Sequence, residues 1–88
     1  MMRIEYSIPF RKSFRKLIVK RPDLVFVIMD KLLLLSKEPA SPSLKLHKLK
    51  GRLEEYYAFT VEYDLRIILE IEGDLIRLIN IGTHDEVY

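Results

Sequence analysis

Tyr57-Ala58-Phe59-Thr60-Val61-Glu62-Tyr63-Asp64-Leu65-Arg66-Ile67-Ile68-Leu69-Glu70-Ile71-Glu72-Gly73-Asp74-Leu75-Ile76-Arg77-Leu78-Ile79-Asn80-Ile81 carries a period of two almost from end to end. Tyr57, Phe59 and Val61 alternate with Ala58, Thr60 and Glu62; Leu65, Ile67, Leu69 and Ile71 then alternate with Arg66, Ile68, Glu70 and Glu72. Successive side chains of a strand point to opposite faces, so this pattern predicts a three-stranded antiparallel meander whose last strand runs Leu75 to Ile81. A three-residue loop Glu62-Tyr63-Asp64 sets Phe59 opposite Ile67 and Val61 opposite Leu65, all on one face. The turn at Gly73-Asp74 leaves two registers open, one placing Leu69 against Arg77 and the other Ile67 against Asn80.

Upstream the period lengthens. Phe10, Phe14, Leu17 and Ile18 share a helical face in a segment that opens with Pro9, a residue suited to a first helical turn. Arg21-Pro22-Asp23 interrupts it, and Asp23 is placed to cap a second helix carrying Val25, Ile28, Leu32 and Leu35, which Pro39 and Pro42 bring to an end. Arg11, Lys12, Arg15, Lys16 and Lys20 fall largely off the apolar stripe of the first helix. Arg3 to Ser7 reads as a short strand that joins the sheet. The expected fold class is α+β: a strand, an antiparallel two-helix hairpin, then the meander, with the helices on one sheet face and Thr60, Arg66, Glu70 and Glu72 on the other. In a meander the first loop and the end of the third strand lie at the same sheet edge, which brings Asp64 close to Gly82-Thr83-His84.

Eighty-eight residues, nearly half of them apolar, provide for one core, so a single domain spanning 1–88 is expected. The absence of cysteine excludes disulfides, thiolate metal sites and a cysteine nucleophile, and fits a reducing compartment such as the cytoplasm. The longest apolar stretch, Leu24 to Leu35, is short for a bilayer span and contains Asp30 and Lys31; no membrane association is expected, and Met1-Met2-Arg3-Ile4-Glu5 has no signal-peptide pattern. Residues 1–52 hold 13 Lys/Arg against 4 Asp/Glu and residues 53–88 hold 2 against 9, so the two parts carry +9 and −7. Such a separation suits a basic surface for a polyanion or for an acidic protein partner, and equally a solvated helix pair beside an acidic sheet.

Two histidines, His47 and His84, supply the side chain that exchanges protons near neutrality. His47 lies among Leu44, Lys45, Leu46, Lys48, Leu49 and Lys50, where leucines are interleaved with basic residues and His47; His84 follows Gly82 at the sheet end. Lys48, Lys50 and Arg66 add the cations that a scissile phosphate requires. No HExxH pattern, carboxylate cluster, glycine-rich phosphate loop or serine-hydrolase motif is present, so neither a metal nor a cofactor is expected. Plainer readings stand beside these: Asp64 as a turn former, Lys48 and Lys50 as solvated charges, Arg66 as the partner of Glu62 or Glu70.

The run His47-Lys48-Leu49-Lys50-Gly51, the strand Tyr56 to Val61, the stretch Asp64-Leu65-Arg66-Ile67-Ile68 and the ending Ile81-Gly82-Thr83-His84-Asp85-Glu86-Val87-Tyr88 resemble YafQ-type members of the RelE toxin superfamily. The order of elements matches along essentially the whole chain. The resemblance implies a metal-independent, ribosome-dependent messenger-RNA endonuclease that is neutralised by a cognate antitoxin and acts on ribosome-bound mRNA. By position, His47, Asp64, His84 and Tyr88 match the family's catalytic residues, and Arg66 matches the arginine of a strand motif common to the superfamily. Thr60 stands where these toxins place a histidine and Leu65 where they place a tryptophan; a threonine hydrogen-bonds phosphate but does not shuttle protons at neutral pH. The implied roles are proton withdrawal from a ribose 2′-hydroxyl by Asp64 or His47, protonation of the leaving oxygen by His84, charge stabilisation by Lys48, Lys50 and Arg66, and base stacking by Tyr88. Two other functions fit the same fold, a ParE-like topoisomerase poison and a degenerate toxin that only binds its antitoxin.

Overall fold

The computed structural model describes residues 1–51 and 55–88. The period-two stretch forms β3 (Tyr57–Glu62), β4 (Leu65–Glu72) and β5 (Leu75–Gly82), paired antiparallel in that order. Upstream lie β1 (Arg3–Tyr6), α1 (Ile8–Lys20), α2 (Leu24–Lys37) and β2 (His47–Lys48); α3 (His84–Val87) follows the meander. β1 joins the sheet parallel to β5 and β2 joins antiparallel to β3, so the sheet reads β1-β5-β4-β3-β2. The β2 strand and α3 extend the expected architecture.

Both hairpins differ from simple registers, and each solves a burial problem with a bulge. Between β3 and β4, Phe59 faces Ile67 as expected. The connection, however, is a two-residue Tyr63-Asp64 turn with Glu62 opposite Leu65, not the expected three-residue loop. The register shift between Thr60 and Glu62 absorbs Val61 as the extra residue. Asp64 supplies the left-handed backbone at the turn, φ 58°, which its short polar side chain tolerates better than most. Val61 and Leu65 both stay buried. Between β4 and β5 a second shift leaves Ile79 unpaired, so that Leu69 meets Leu78 and Ile67 meets Ile81, and the two mismatches left open by the sequence are both avoided.

The buried faces of the strands, Phe59, Ile67, Leu69, Ile76 and Leu78, meet Phe10 of α1 and Leu24, Ile28, Leu32 and Leu35 of α2 in one apolar cluster. Each such side chain contributes about 1.5–3 kcal/mol by leaving water. On the opposite sheet face Thr60 and Glu72 are exposed and Arg66 and Glu70 partly so, whereas Ala58 and Ile68 on that face are buried.

Ser7 ends the first strand one residue earlier than expected because its side chain has another task. Its Oγ accepts a hydrogen bond from the Phe10 amide at 3.1 Å, capping α1, and donates to the Ile79 carbonyl at 2.8 Å, the unpaired position of the β5 bulge. Ser7→Ala removes the cap and the cross-link together; a loss of about 1–2 kcal/mol is expected in urea denaturation, with an unchanged m-value. Asp23 does not cap α2, contrary to expectation. Its backbone is already helical (φ −61°, ψ −21°), and its carboxylate is turned to Arg21, which donates from Nε at 3.0 Å and from Nη2 at 2.8 Å. That hydrogen-bonded pairing, more than charge alone, holds the Asp23 carboxyl below its ordinary value. Arg21 Nη2 also lies 3.3 Å from Glu62, tying the helical hairpin to the β3–β4 turn.

Candidate active site

The sheet edge at which the β3–β4 turn meets the end of β5 collects most of the chemistry. Asp64 Oδ1 accepts from the His84 backbone N–H at 3.4 Å and lies 3.4 Å from Arg66 Nη1. The juxtaposition expected from topology alone, Asp64 beside Gly82-Thr83-His84, is therefore present. The His84 imidazole packs edge-on to the Tyr88 ring, centroids 4.6 Å apart and planes at 68°, with Asp85 Oδ1 3.5 Å from its Nδ1. The Arg66 guanidinium lies 6.0 Å from the Tyr88 ring centroid, at the outer range of a cation–π contact, with its side chain 28% exposed. Thr60 pairs with Arg66 across β3–β4 and is exposed. Asp64, Arg66, His84, Tyr88 and Thr60 thus form one neighbourhood, and with the Asp64 and His84 side chains 48% and 58% exposed it is open to a large substrate.

His47 stands apart. Its strand pairs it with Ala58, in the cross-strand row that continues through Ile68, while Thr60 and Arg66 occupy the next row. Two strand spacings and one two-residue step separate the His47 and Arg66 backbones, about 12 Å on an ideal sheet. No direct bond between His47 and the edge cluster spans that, but an extended polymer on the open face reaches both. Nδ1 of His47 is 3.0 Å from the Lys45 carbonyl. A carbonyl only accepts, so Nδ1 is the donor in this contact, and Nε2 is the nitrogen from which a neutral ring would accept a proton, the arrangement of a base. Lys45 adopts φ 53°, which turns the chain into β2.

The expected grouping of Lys48 with His47 is not what the strand provides. Lys48 pairs with Tyr57, a residue packed against the helical side of the core, so strand alternation directs Lys48 and His47 to opposite faces. Lys50 lies beyond β2 and is exposed. The cation within the edge cluster is Arg66.

Two residues missed in the sequence place this site. Thr83 caps α3: its Oγ1 accepts from the Glu86 amide at 3.4 Å, and Glu86 Oε1 accepts from the Thr83 amide at 2.8 Å. Thr83-His84-Asp85-Glu86 has the spacing of a capping box, a signal present in the sequence but easily passed over without an apolar run behind it. Gly82 is the other, since a Cβ there would stand 3.0 Å from Glu86 Oε1 and 3.2 Å from Val87 Cγ1. Among the described residues no three His, Asp or Glu side chains are grouped to hold a metal ion, and no helix is long and apolar enough to cross a membrane.

Residues 2–88 match the model of a family described as the bacterial toxin of the type II toxin-antitoxin system, YafQ. Among solved structures, a copper-bound single-substitution variant of a toxin from Helicobacter pylori is 27% identical with a TM-score of 0.86, the alignment covering 100% of both chains. YafQ from E. coli strain BL21(DE3) is 28% identical with a TM-score of 0.83, covering 100% of this chain and 99% of that one. The toxin of the E. coli DinJ-YafQ toxin-antitoxin complex is 30% identical with a TM-score of 0.81 and the same coverage. No curated protein sequence matches the chain.

Proposed function

The chain belongs to the YafQ family of bacterial type II toxins, and from that premise we propose that it is a ribosome-dependent mRNA endonuclease kept inactive by a cognate antitoxin. The observation that carries the proposal is the edge cluster, where an exposed imidazole, a carboxylate, a guanidinium and an aromatic ring converge on one open surface. These groups match the needs of phosphodiester cleavage: proton transfer on both sides of the phosphate, a cation for its developing charge, and a π-face for a base.

In the reaction we envisage, the ribose 2′-oxygen attacks the adjacent phosphorus and the 5′-oxygen leaves. His47, through its free Nε2, or the Asp64 carboxylate takes the 2′-hydroxyl proton. His84 gives a proton to the departing 5′-oxygen, Arg66 stabilises the phosphorane and Thr60 hydrogen-bonds a phosphate oxygen. Tyr88 stacks on or orients a base next to the cut. Lys48 and Lys50 then act as remote electrostatic contacts along the RNA backbone rather than on the scissile phosphate. Every step is assigned to side chains.

The DinJ-YafQ complex supports a protein partner for this chain. The exposed cations of α1, Arg11, Lys12, Arg15, Lys16 and Lys20, suit an antitoxin segment rich in acidic residues. A second reading is favoured by one feature. Leu65, where YafQ-like toxins place a tryptophan, is a core residue 6% exposed and unable to touch RNA, which suits a toxin that binds its antitoxin without cutting. Incubating the protein with programmed ribosomes separates the two: the nuclease produces discrete transcript fragments that disappear when antitoxin is added, and the binding-only protein leaves transcripts intact while still forming the complex.

A further inference from the structure

The helix that bears the exposed imidazole and the terminal ring is only four residues long, His84–Val87. Helices shorter than about 12 residues have little stability of their own in water, so something outside the helix must hold it. The reciprocal bonds between Thr83 and Glu86 satisfy two backbone donors at its start, and the bare backbone of Gly82 lets Glu86 and Val87 close against the end of β5. With that closure, the Tyr88 amide donates to the His84 carbonyl at 3.0 Å and the Tyr88 ring lies between His84 and Arg66. The first N–H of the helix points to Asp64.

We infer that Glu86 is a positioning residue which, clamped over Gly82, sets His84 and Tyr88 against Asp64 and Arg66. The inference rests on the reading of this edge as the cleavage site. Glu86 does its work through its carboxylate oxygen, an acceptor for the Thr83 N–H, and not by touching substrate. The groups that face it are the Thr83 amide and hydroxyl, the Lys20 ammonium from α1 and the Asp64 carboxylate. The Thr83 backbone bond is the main cause that holds the Glu86 carboxyl below its ordinary value of 4.5, with the Thr83 side chain and Lys20 in the same direction and Asp64 opposed. A lowered value means that ionisation adds stability to the clamp which is fully present above pH 4.5 and is lost as pH falls through the folded value, while the carbonyl oxygen of the neutral carboxyl still accepts the Thr83 N–H.

Four variants in single-turnover cleavage on programmed ribosomes, with NMR of the His84 and Tyr88 ring protons, test this. Glu86→Ala is expected to slow cleavage by about 10–100-fold, since small misplacements of reacting groups cost that much. Its thermal midpoint should fall by no more than about 4–8 °C, the cost of one lost helix cap, and the ring-proton shifts should move to those of a short free peptide. Glu86→Gln, whose amide oxygen accepts the same N–H, should keep both shifts and rate within about threefold of wild type. Gly82→Ala should resemble Glu86→Ala, and the double variant should be no slower than either alone, because both act through one element. Wild-type rate and ring shifts in Glu86→Ala would overturn the assignment, as would a Gln variant as slow as the Ala one or a double variant whose defects multiply. Should the wild-type protein cut nothing, the nuclease reading fails, and the ring shifts still decide whether Glu86 orders His84 and Tyr88.

Discussion

His84→Ala is expected to lower transcript cleavage on programmed ribosomes by about 10²–10⁴-fold, or roughly 3–5 kcal/mol of barrier, the usual contribution of a positioned proton donor. The imidazole is more than half exposed, packs against Tyr88 and Asp85 and is not part of the apolar cluster, so its removal takes nothing from the core. Unfolding midpoint and antitoxin affinity should therefore hold. A purely structural role predicts the reverse, a lower melting temperature with cleavage falling only in step with the folded fraction. Asp64→Asn is the matching control: asparagine tolerates the left-handed turn at φ 58° and still accepts the His84 N–H, but carries no charge for Arg66 or for a proton. Cleavage should fall in this variant too, with the β3–β4 turn intact by NMR.

Phe59→Ala carries the largest expected cost in stability. Phe59 lies in the middle of β3, is 0% exposed and packs in the cluster shared by the sheet and both long helices. Removing a buried phenyl ring leaves a cavity as well as losing transfer energy, about 3–5 kcal/mol in total. Small domains are stable by about 5–15 kcal/mol, so equilibrium urea unfolding should show a large drop in midpoint, with toxicity falling as the folded population falls. A loss below about 1 kcal/mol would mean that the core is not built around this residue.

The meander was legible because alternation is a local property. Phe59, Ile67, Leu69 and Leu78 announce their face two residues at a time, and topology alone then brought Asp64 to His84. The bulges at Val61 and Ile79 were not legible, since an extra residue breaks the period only once and is decided by which cross-strand pairs the core accepts. Asp23 looked like a cap by residue type; the bidentate bond from Arg21 two positions earlier won its carboxylate. Leu44-Lys45-Leu46-His47-Lys48 showed its alternation, but β2 is two residues long and exists only because β3 offers a free edge, so the separation of Lys48 from His47 emerged only with the pairing. The clamp on α3 depends on the missing side chain at Gly82, a close approach that composition does not reveal.

End-group analysis of transcript fragments made by the wild-type protein on programmed ribosomes tests the central claim most directly. Attack by the neighbouring 2′-hydroxyl with proton transfer through these side chains predicts 5′-hydroxyl ends paired with 2′,3′-cyclic phosphate ends. Transcripts that remain intact, or fragments bearing 5′-phosphate and 3′-hydroxyl ends, would contradict it.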